Sequence, residues 1–209
     1  GAVPNVAAAA QKLVETLLVG LVKKAIAKTN LHDVALAGGV FMNVKANYDI
    51  LKLPEVNKLF IMPSCGDESL PIGSCYYGTL LNDKNSMMNK TALQNIYFGP
   101  EYTHEEILKA FEESDYEYRD FGRRINVETS RLLAEGEIVA RFDGRMEFGA
   151  RALGNRSILA DASNVDVVEV INRMIKKRDF WMPFAPSIME EYADVYIKYP
   201  QLLQKTRPY

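Results

Sequence analysis

The sequence predicts an α/β fold, and three features predict it. Apolar helical periods alternate with short β-rich runs over the first 80 or so residues. A glycine pair follows the first of those runs directly, and a second helix-then-strand series follows after a polar interval. Strand, glycine turn, helix, strand, helix is the rhythm of a sheet with helices packed on it.

The elements follow in order. Val6 to Lys28 is Ala- and Leu-rich with lysines toward its end, where the helix dipole favours cations, so it predicts one long helix packed on a sheet. "HDVALAGGVFMN" predicts a buried strand entering a glycine turn. A helix from Lys45 to Leu53 stops at Pro54, "VNKLFIMP" is a second strand, and "ESLPIGSCYYGTLLND" is a second apolar helix. The texture changes between Asn82 and Pro100, a polar stretch without period that predicts a linker. Thr103 and Glu106 have capping-box spacing at the head of "THEEILKAFEES". "INVETSRLLAEG" predicts a helix stopped at Gly136, "EIVARFD" and "SILAD" predict strands, and Asp166 to Lys177 predicts a helix with Val167, Val170, Ile171 and Met174 on one face. Pro183 and Pro186 bar a regular helix through "FWMPFAPSI".

Composition narrows the function. The 209 residues are 48% hydrophobic and carry 25 Lys+Arg against 27 Asp+Glu, a formal net charge of −2. A general nucleic-acid binder carries a basic field over a whole face, so any anion site here is a local cluster. Cys65 and Cys75 lack metal or redox spacing and are expected as reduced, buried small residues. With only His32 and His104, a His-rich metal site or a Ser/His/Asp triad is poorly supported. The apolar start is interrupted by Lys12 and Glu15 and has no basic leader, so the reading is that no run reaches membrane-span length and that the protein is cytoplasmic.

Four segments carry candidate chemistry. Gly38 and Gly39 let a phosphate approach backbone N–H groups without Cβ obstruction, or simply turn the chain. Asp67, between a strand end and a helix start, is placed to hold a metal ion or, with Ser69, to cap the helix. "ARFDGRMEFGARALGNRSILAD" sets Arg141, Arg145, Arg151 and Arg156 among glycines. Guanidinium forks fit phosphate oxygens in pairs, and glycines at 144, 149 and 154 allow a backbone nest to join them. Arg173, Lys176, Lys177 and Arg178 follow downstream, so the two groups predict a pocket for several negative charges, such as a triphosphate with an acyl phosphate. The competing reading is a salt-bridged surface with Asp143, Glu147, Asp161 and Asp179. Trp181 is expected in the core or stacked on a nucleobase, and Ser187 is expected on a phosphate or as a helix cap.

"GRMEFGARALGNRSILAD" and "IKKRDFWMPFAPSI" closely resemble the carbamoyltransferases of the NodU/CmcH type, and "LAGGVFMNVKAN" and "PSCGDESLPIGSCYYG" resemble the same family's other blocks, so the likeness covers nearly the whole chain. Ala150 stands where that family usually has Pro, and Met182 where it has Arg. The resemblance implies a partial ASKHA (ribonuclease H-like) layer over residues 1–90 and an incomplete YrdC-like α/β domain over 91–209, within a longer enzyme whose metal-binding histidine pair lies in an earlier segment. It implies an O-carbamoyltransferase that forms carbamoyl adenylate from carbamoyl phosphate and ATP, then passes the carbamoyl group to a small-molecule hydroxyl acceptor. A divalent metal, iron or magnesium, is implied, with Asp67 as a ligand. Gly38, Gly39 and Asn43 fall in the nucleotide turn. Arg145, Arg151, Arg156, Ser157, Asn172, Lys177, Arg178 and Ser187 fall in the blocks for carbamoyl phosphate and ATP, with Arg151, Arg156 and Lys177 as the catalytic group. No membrane partner is implied, nucleic acid is disfavoured, and a homodimer is compatible. The alternative reading is a YrdC-like RNA-binding or tRNA-modification protein.

Overall fold

The computed structural model describes residues 2–83, 85 and 93–206. The chain divides into two compact units, one formed by residues 1–95 and 190–209 and the other by 96–189. Each is a mixed α/β assembly.

The first unit is built from α1 (Ala2–Thr29), β1 (Asp33–Leu36), α2 (Val44–Leu51), β2 (Lys58–Ile61) and α3 (Leu70–Asn82). β1 and β2 are parallel, pairing Asp33 with Lys58 through Leu36 with Ile61. A parallel pair needs a crossover, which α2 supplies. Val22 and Ile26 of α1 close over Leu36, Ile50, Leu53, Val56 and Leu59 to make the core. Ile50 and Val56 are completely buried there. Against expectation, α1 is long and apolar enough to cross a membrane by length and composition, with a mean hydropathy of 1.3 over its best window. Its charges are too sparse to break that window, but it packs against α2, and its Val22 and Ile26 belong to the core shared with the two strands. The chain returns to this unit through α7 (Ala193–Tyr196) and a 3₁₀ turn at Pro200–Lys205, where the Lys205 ammonium donates to the Leu53 carbonyl at 3.1 Å.

The second unit contains α4 (His104–Glu112), α5 (Ile125–Ala134), β3 (Val139–Phe142), β4 (Arg156–Leu159) and α6 (Asp166–Val170). The capping box at Thr103 and Glu106 forms as its spacing predicts, with both reciprocal bonds made. β3 and β4 are antiparallel, from Val139 opposite Leu159 to Phe142 opposite Arg156. The helix expected over 166–177 departs from α geometry: Ile171–Ile175 forms a π-helical turn. That wider turn rotates the apolar face, so Val167 and Ile171 are buried while Met174 points outward. Trp181 is 65% exposed and the expectation of a core tryptophan is overturned. It sits in a turn closed by the Met182 N–H donating to the Asp179 carbonyl at 3.1 Å, which leaves its ring outside the apolar cluster. Cys65 is buried and Cys75 exposed, both as free thiols, so only the first fits the buried reading.

Candidate functional site

At the carboxyl ends of the parallel strands, two loops meet. The Gly38 N–H donates to the Cys65 carbonyl at 3.0 Å, and the Met62 N–H continues the ladder to the Leu36 carbonyl at 3.1 Å. The glycine turn and the acidic turn are thus brought side by side, at the edge where parallel sheets build their sites. Gly38 has φ 110°, a conformation that side chains disfavour, whereas nothing in the fold crowds a Cβ at Gly39. Asn43 caps α2, accepting from the Ala46 N–H at 3.0 Å, and its amide pairs reciprocally with Gln11 of α1. Gln11 in turn donates to Glu15, a buried carboxylate that also meets Lys45 at 3.0 Å. The hydrogen bond from Gln11 and then the Lys45 ammonium hold the Glu15 carboxyl below its ordinary range. This Gln11–Glu15–Asn43–Lys45 cluster was not legible in the sequence, because it joins positions more than 25 residues apart.

Asp67 opens a 3₁₀ turn ahead of α3, and its exposed carboxylate has no side-chain partner among the described residues. Neither it nor Ser69 caps α3, since the Ser69 hydroxyl donates to the Gly66 carbonyl at 3.0 Å. Glu68 instead accepts from the buried Ser64 hydroxyl, which lowers its pKa, helped by backbone N–H groups. A Cβ at Gly66 would collide with that Glu68 carboxylate. Burial, and then Glu68, push the Cys65 thiol up. No group of three or more His, Cys, Asp or Glu gathers to hold a metal among the described residues, so Asp67 could supply one ligand and not a full set. A shallow groove of about 370 Å³ in this unit, lined by Lys12, Glu15, Thr16, Val19, Gly20, Asp49 and Lys52, contains none of the expected site residues.

In the second unit, the loop joining β3 to β4 carries the arginines. Its first leg lies along the segment before α4: the Phe148 N–H donates to Ile96 at 2.7 Å, Met146 to Pro100 at 3.1 Å, and Gly99 to Met146 at 2.9 Å. Gly99 is required for this approach, because a Cβ there would sit 2.6 Å from the Met146 Cβ. The buried Glu147 carboxylate turns back into the loop. Its Oε1 accepts from the backbone N–H groups of Leu153 at 2.8 Å, Asn155 at 2.7 Å and Arg156 at 3.2 Å. Burial pushes the Glu147 carboxyl up, but its own backbone N–H and then these three donors together outweigh it, and its pKa stands below the ordinary value. The nest expected to receive a phosphate is therefore filled from within, a correction that follows from the single acid among the glycines.

The four arginines of this stretch differ in what they touch. Arg141 pairs with Asp143 and reaches the Asn126 side chain. Arg156 lies over the Phe142 ring and donates to the carbonyls of Asp143, Gly144 and Asn155. Arg145 is exposed, with one 3.3 Å bond from its Nε to the Gly99 carbonyl. Arg151 is exposed and has no hydrogen-bond or ion-pair partner among the described residues. The salt-bridged alternative therefore holds for Arg141 and not for Arg151. Ser157 accepts from the Gly154 N–H at 2.9 Å.

The downstream basic group is organised by Asn172, which is wholly buried. Its amide donates to the Phe180 and Met182 carbonyls at 3.0 and 2.9 Å, and its carbonyl oxygen accepts from the Arg178 Nε at 2.6 Å. Arg178 also lies over Phe184, and Arg173 pairs with Glu169 at 3.0 Å. Lys177 is exposed at φ 47°, an uncommon conformation outside glycine. Ser187 is exposed. No hydrogen bond, ion pair or ring contact joins this turn to the arginine loop among the described residues.

Two family models match the chain in order: the carbamoyltransferase N-terminus over residues 2–76 and the carbamoyltransferase C-terminus over residues 130–209. An uncharacterized protein of Methanocaldococcus jannaschii is 33% identical over 90% of this chain and 31% of its own length. One from Synechocystis is 32% identical over 94% of this chain and 33% of its own length. The nodulation protein NolNO of Sinorhizobium fredii is 29% identical over 96% of this chain and 30% of its own length. The chain thus spans about a third of the length of the curated relatives it matches. With the glycine turn and acidic turn in the first matched block, and the arginine loop and Asn172 turn in the second, this chain belongs to the carbamoyltransferase family.

Proposed function

We propose that the chain is part of an enzyme that makes carbamoyl adenylate from carbamoyl phosphate and ATP and transfers the carbamoyl group to an acceptor hydroxyl. The observation that carries this reading is Arg151: a guanidinium with no partner among the described residues, at the tip of an internally braced loop, within a segment matched by the family's C-terminal model. Family membership supports carbamoyl transfer in general and does not favour the RNA-binding alternative.

The roles follow from what each group has left to offer. Arg151 and Arg145 present forks to phosphate oxygens, and Lys177 adds a point charge. Arg156, Ser157, Asn172 and Arg178 hold the two turns in shape, and Ser187 remains open as a phosphate donor. For the atoms to balance, water takes the phosphoryl group of carbamoyl phosphate as inorganic phosphate. A carbamate oxygen then displaces pyrophosphate from ATP, and the acceptor oxygen finally displaces AMP. Positive charge beside the departing phosphates stabilises the negative charge that builds on them. The glycine turn at Gly38 and Gly39, with Asn43 shaping it, is the proposed nucleotide contact, in a reading that takes residues 1–90 as an ASKHA-type layer and residues 91–209 as a YrdC-like domain. Asp67 would be one ligand of a divalent metal, which supplies Lewis acidity when bound.

The test is carbamoyl-phosphate-dependent release of pyrophosphate by the intact parent protein. Release is expected, and Arg151→Ala is expected to weaken carbamoyl phosphate binding by about 10- to 100-fold through loss of charge-assisted hydrogen bonds. Absence of pyrophosphate, or equal affinity of wild type and variant, overturns the reading.

A further inference from the structure

Four consecutive backbone N–H groups, from Leu153 to Arg156, would form the natural phosphate cradle of the arginine loop, yet each already has an acceptor. Leu153, Asn155 and Arg156 donate to Glu147, and Gly154 donates to the Ser157 hydroxyl. Three backbone donors from one turn converging on one carboxylate is the arrangement otherwise found around a bound anion. The Glu147–Leu153 bond also ties the base of the short excursion that carries Gly149, Ala150 and Arg151. The Asn155 side-chain amide donates to the Arg145 carbonyl at 2.8 Å, so the same ring of contacts holds the backbone of the second exposed arginine.

We infer that Glu147 is a positioning residue: its carboxylate is the protein's own anion in the backbone nest, which closes the loop so that Arg145 and Arg151 present their guanidinium forks to co-substrate phosphate. The inference deepens the proposed function and rests on it for the identity of the ligand, while the nest itself does not. A free loop of this glycine content would have to be ordered by the ligand at the ligand's expense in affinity, whereas a braced loop has that ordering done beforehand. Glu147 touches no substrate in this assignment. It acts through the two arginines.

The experiment uses the full-length parent protein with Glu147→Ala and Glu147→Gln, and two measurements. Amide hydrogen exchange at Leu153, Asn155 and Arg156 reads the nest without any ligand, and calorimetry with carbamoyl phosphate reads the forks. Glu147→Ala is expected to speed exchange at these amides at least about tenfold and to weaken carbamoyl phosphate by about 10- to 100-fold, raising KM more than it lowers kcat. Glu147→Gln keeps an acceptor oxygen without the charge and is expected to recover part of both. If Glu147→Ala does not fold, Glu147→Gln decides: wild-type exchange and wild-type affinity in that variant overturn the inference. Open amides with undiminished affinity overturn the positioning role. A wild-type protein that does not bind carbamoyl phosphate overturns that role together with the proposed function, and the exchange rates then settle the nest by themselves.

Discussion

The guanidinium carbon of Arg156 lies 3.7 Å from the centre of the Phe142 ring. From that position its N–H groups cover the carbonyls of Asp143 and Gly144 at 2.7 and 3.1 Å, closing the exit of β3 against the entry of β4. Arg156→Ala is expected to destabilise the second unit by about 1–3 kcal/mol, because several carbonyls lose a charged donor and the ring loses its cation. Arg156→Lys should recover little of this, since an ammonium cannot both stack and fork. Thermal unfolding of the two variants checks it, and a lysine variant as stable as wild type would contradict the geometry.

Asn172 is wholly buried, and its side chain spends both amide hydrogens and an oxygen lone pair on the turn. Replacing it by Ala leaves the Phe180 and Met182 carbonyls and the Arg178 guanidinium without their buried partner, at a cost of about 2–4 kcal/mol. Denaturant unfolding measures this. A loss below about 0.5 kcal/mol would mean that the turn holds itself by other contacts.

Lys177 occupies φ 47° in the turn that follows the π-helical segment. Lys177→Gly is expected to relieve that strain and raise stability by about 0.5–1 kcal/mol, while weakening carbamoyl phosphate binding through loss of the charge. Stability and affinity moving in opposite directions is the signature of a strained site residue. If both fall, the lysine is structural.

Gly38 and Gly39 separate by conformation. Gly38→Ala should cost about 1–2 kcal/mol, because its φ is 110° whatever the space around it. Gly39→Ala meets no atom and should leave stability within about 0.5 kcal/mol of wild type. If a nucleotide approaches the backbone there, Gly39→Ala weakens ATP binding all the same, as equilibrium dialysis with the parent protein would show.

The lowered pKa of Glu147 carries a pH signature. A group whose folded pKa is depressed binds its proton more readily when unfolded, so its stabilisation is present above the unfolded value and disappears as pH falls through the folded one. Stability of wild type should therefore fall faster than that of Glu147→Gln below the ordinary carboxylate range. Parallel curves for the two proteins from neutral pH down to that range and beyond would refute it.

Local pattern carried much of the architecture. The capping box at Thr103 and Glu106, the strands on either side of the arginine loop, and the parallel rhythm around α2 all involve residues close in sequence, where period and turn chemistry act directly. The family could also be read from the blocks themselves. Met174 and Trp181 went the other way. One turn of π-helix is enough to move Met174 off the apolar face, and burial of a tryptophan depends on whether the fold brings a partner surface to it.

The arginine loop marks the division most clearly. Which residue types gather there, and that they suit phosphate, is a matter of side-chain chemistry and needs no coordinates. Which guanidinium stays available was decided in three dimensions. Arg156 and Arg151 are five positions apart with the same side chain, yet one is folded onto carbonyls and the other has no partner among the described residues. Glu147 shows the same division, because a buried carboxylate must find donors, and the donors it finds are the backbone amides of Leu153, Asn155 and Arg156.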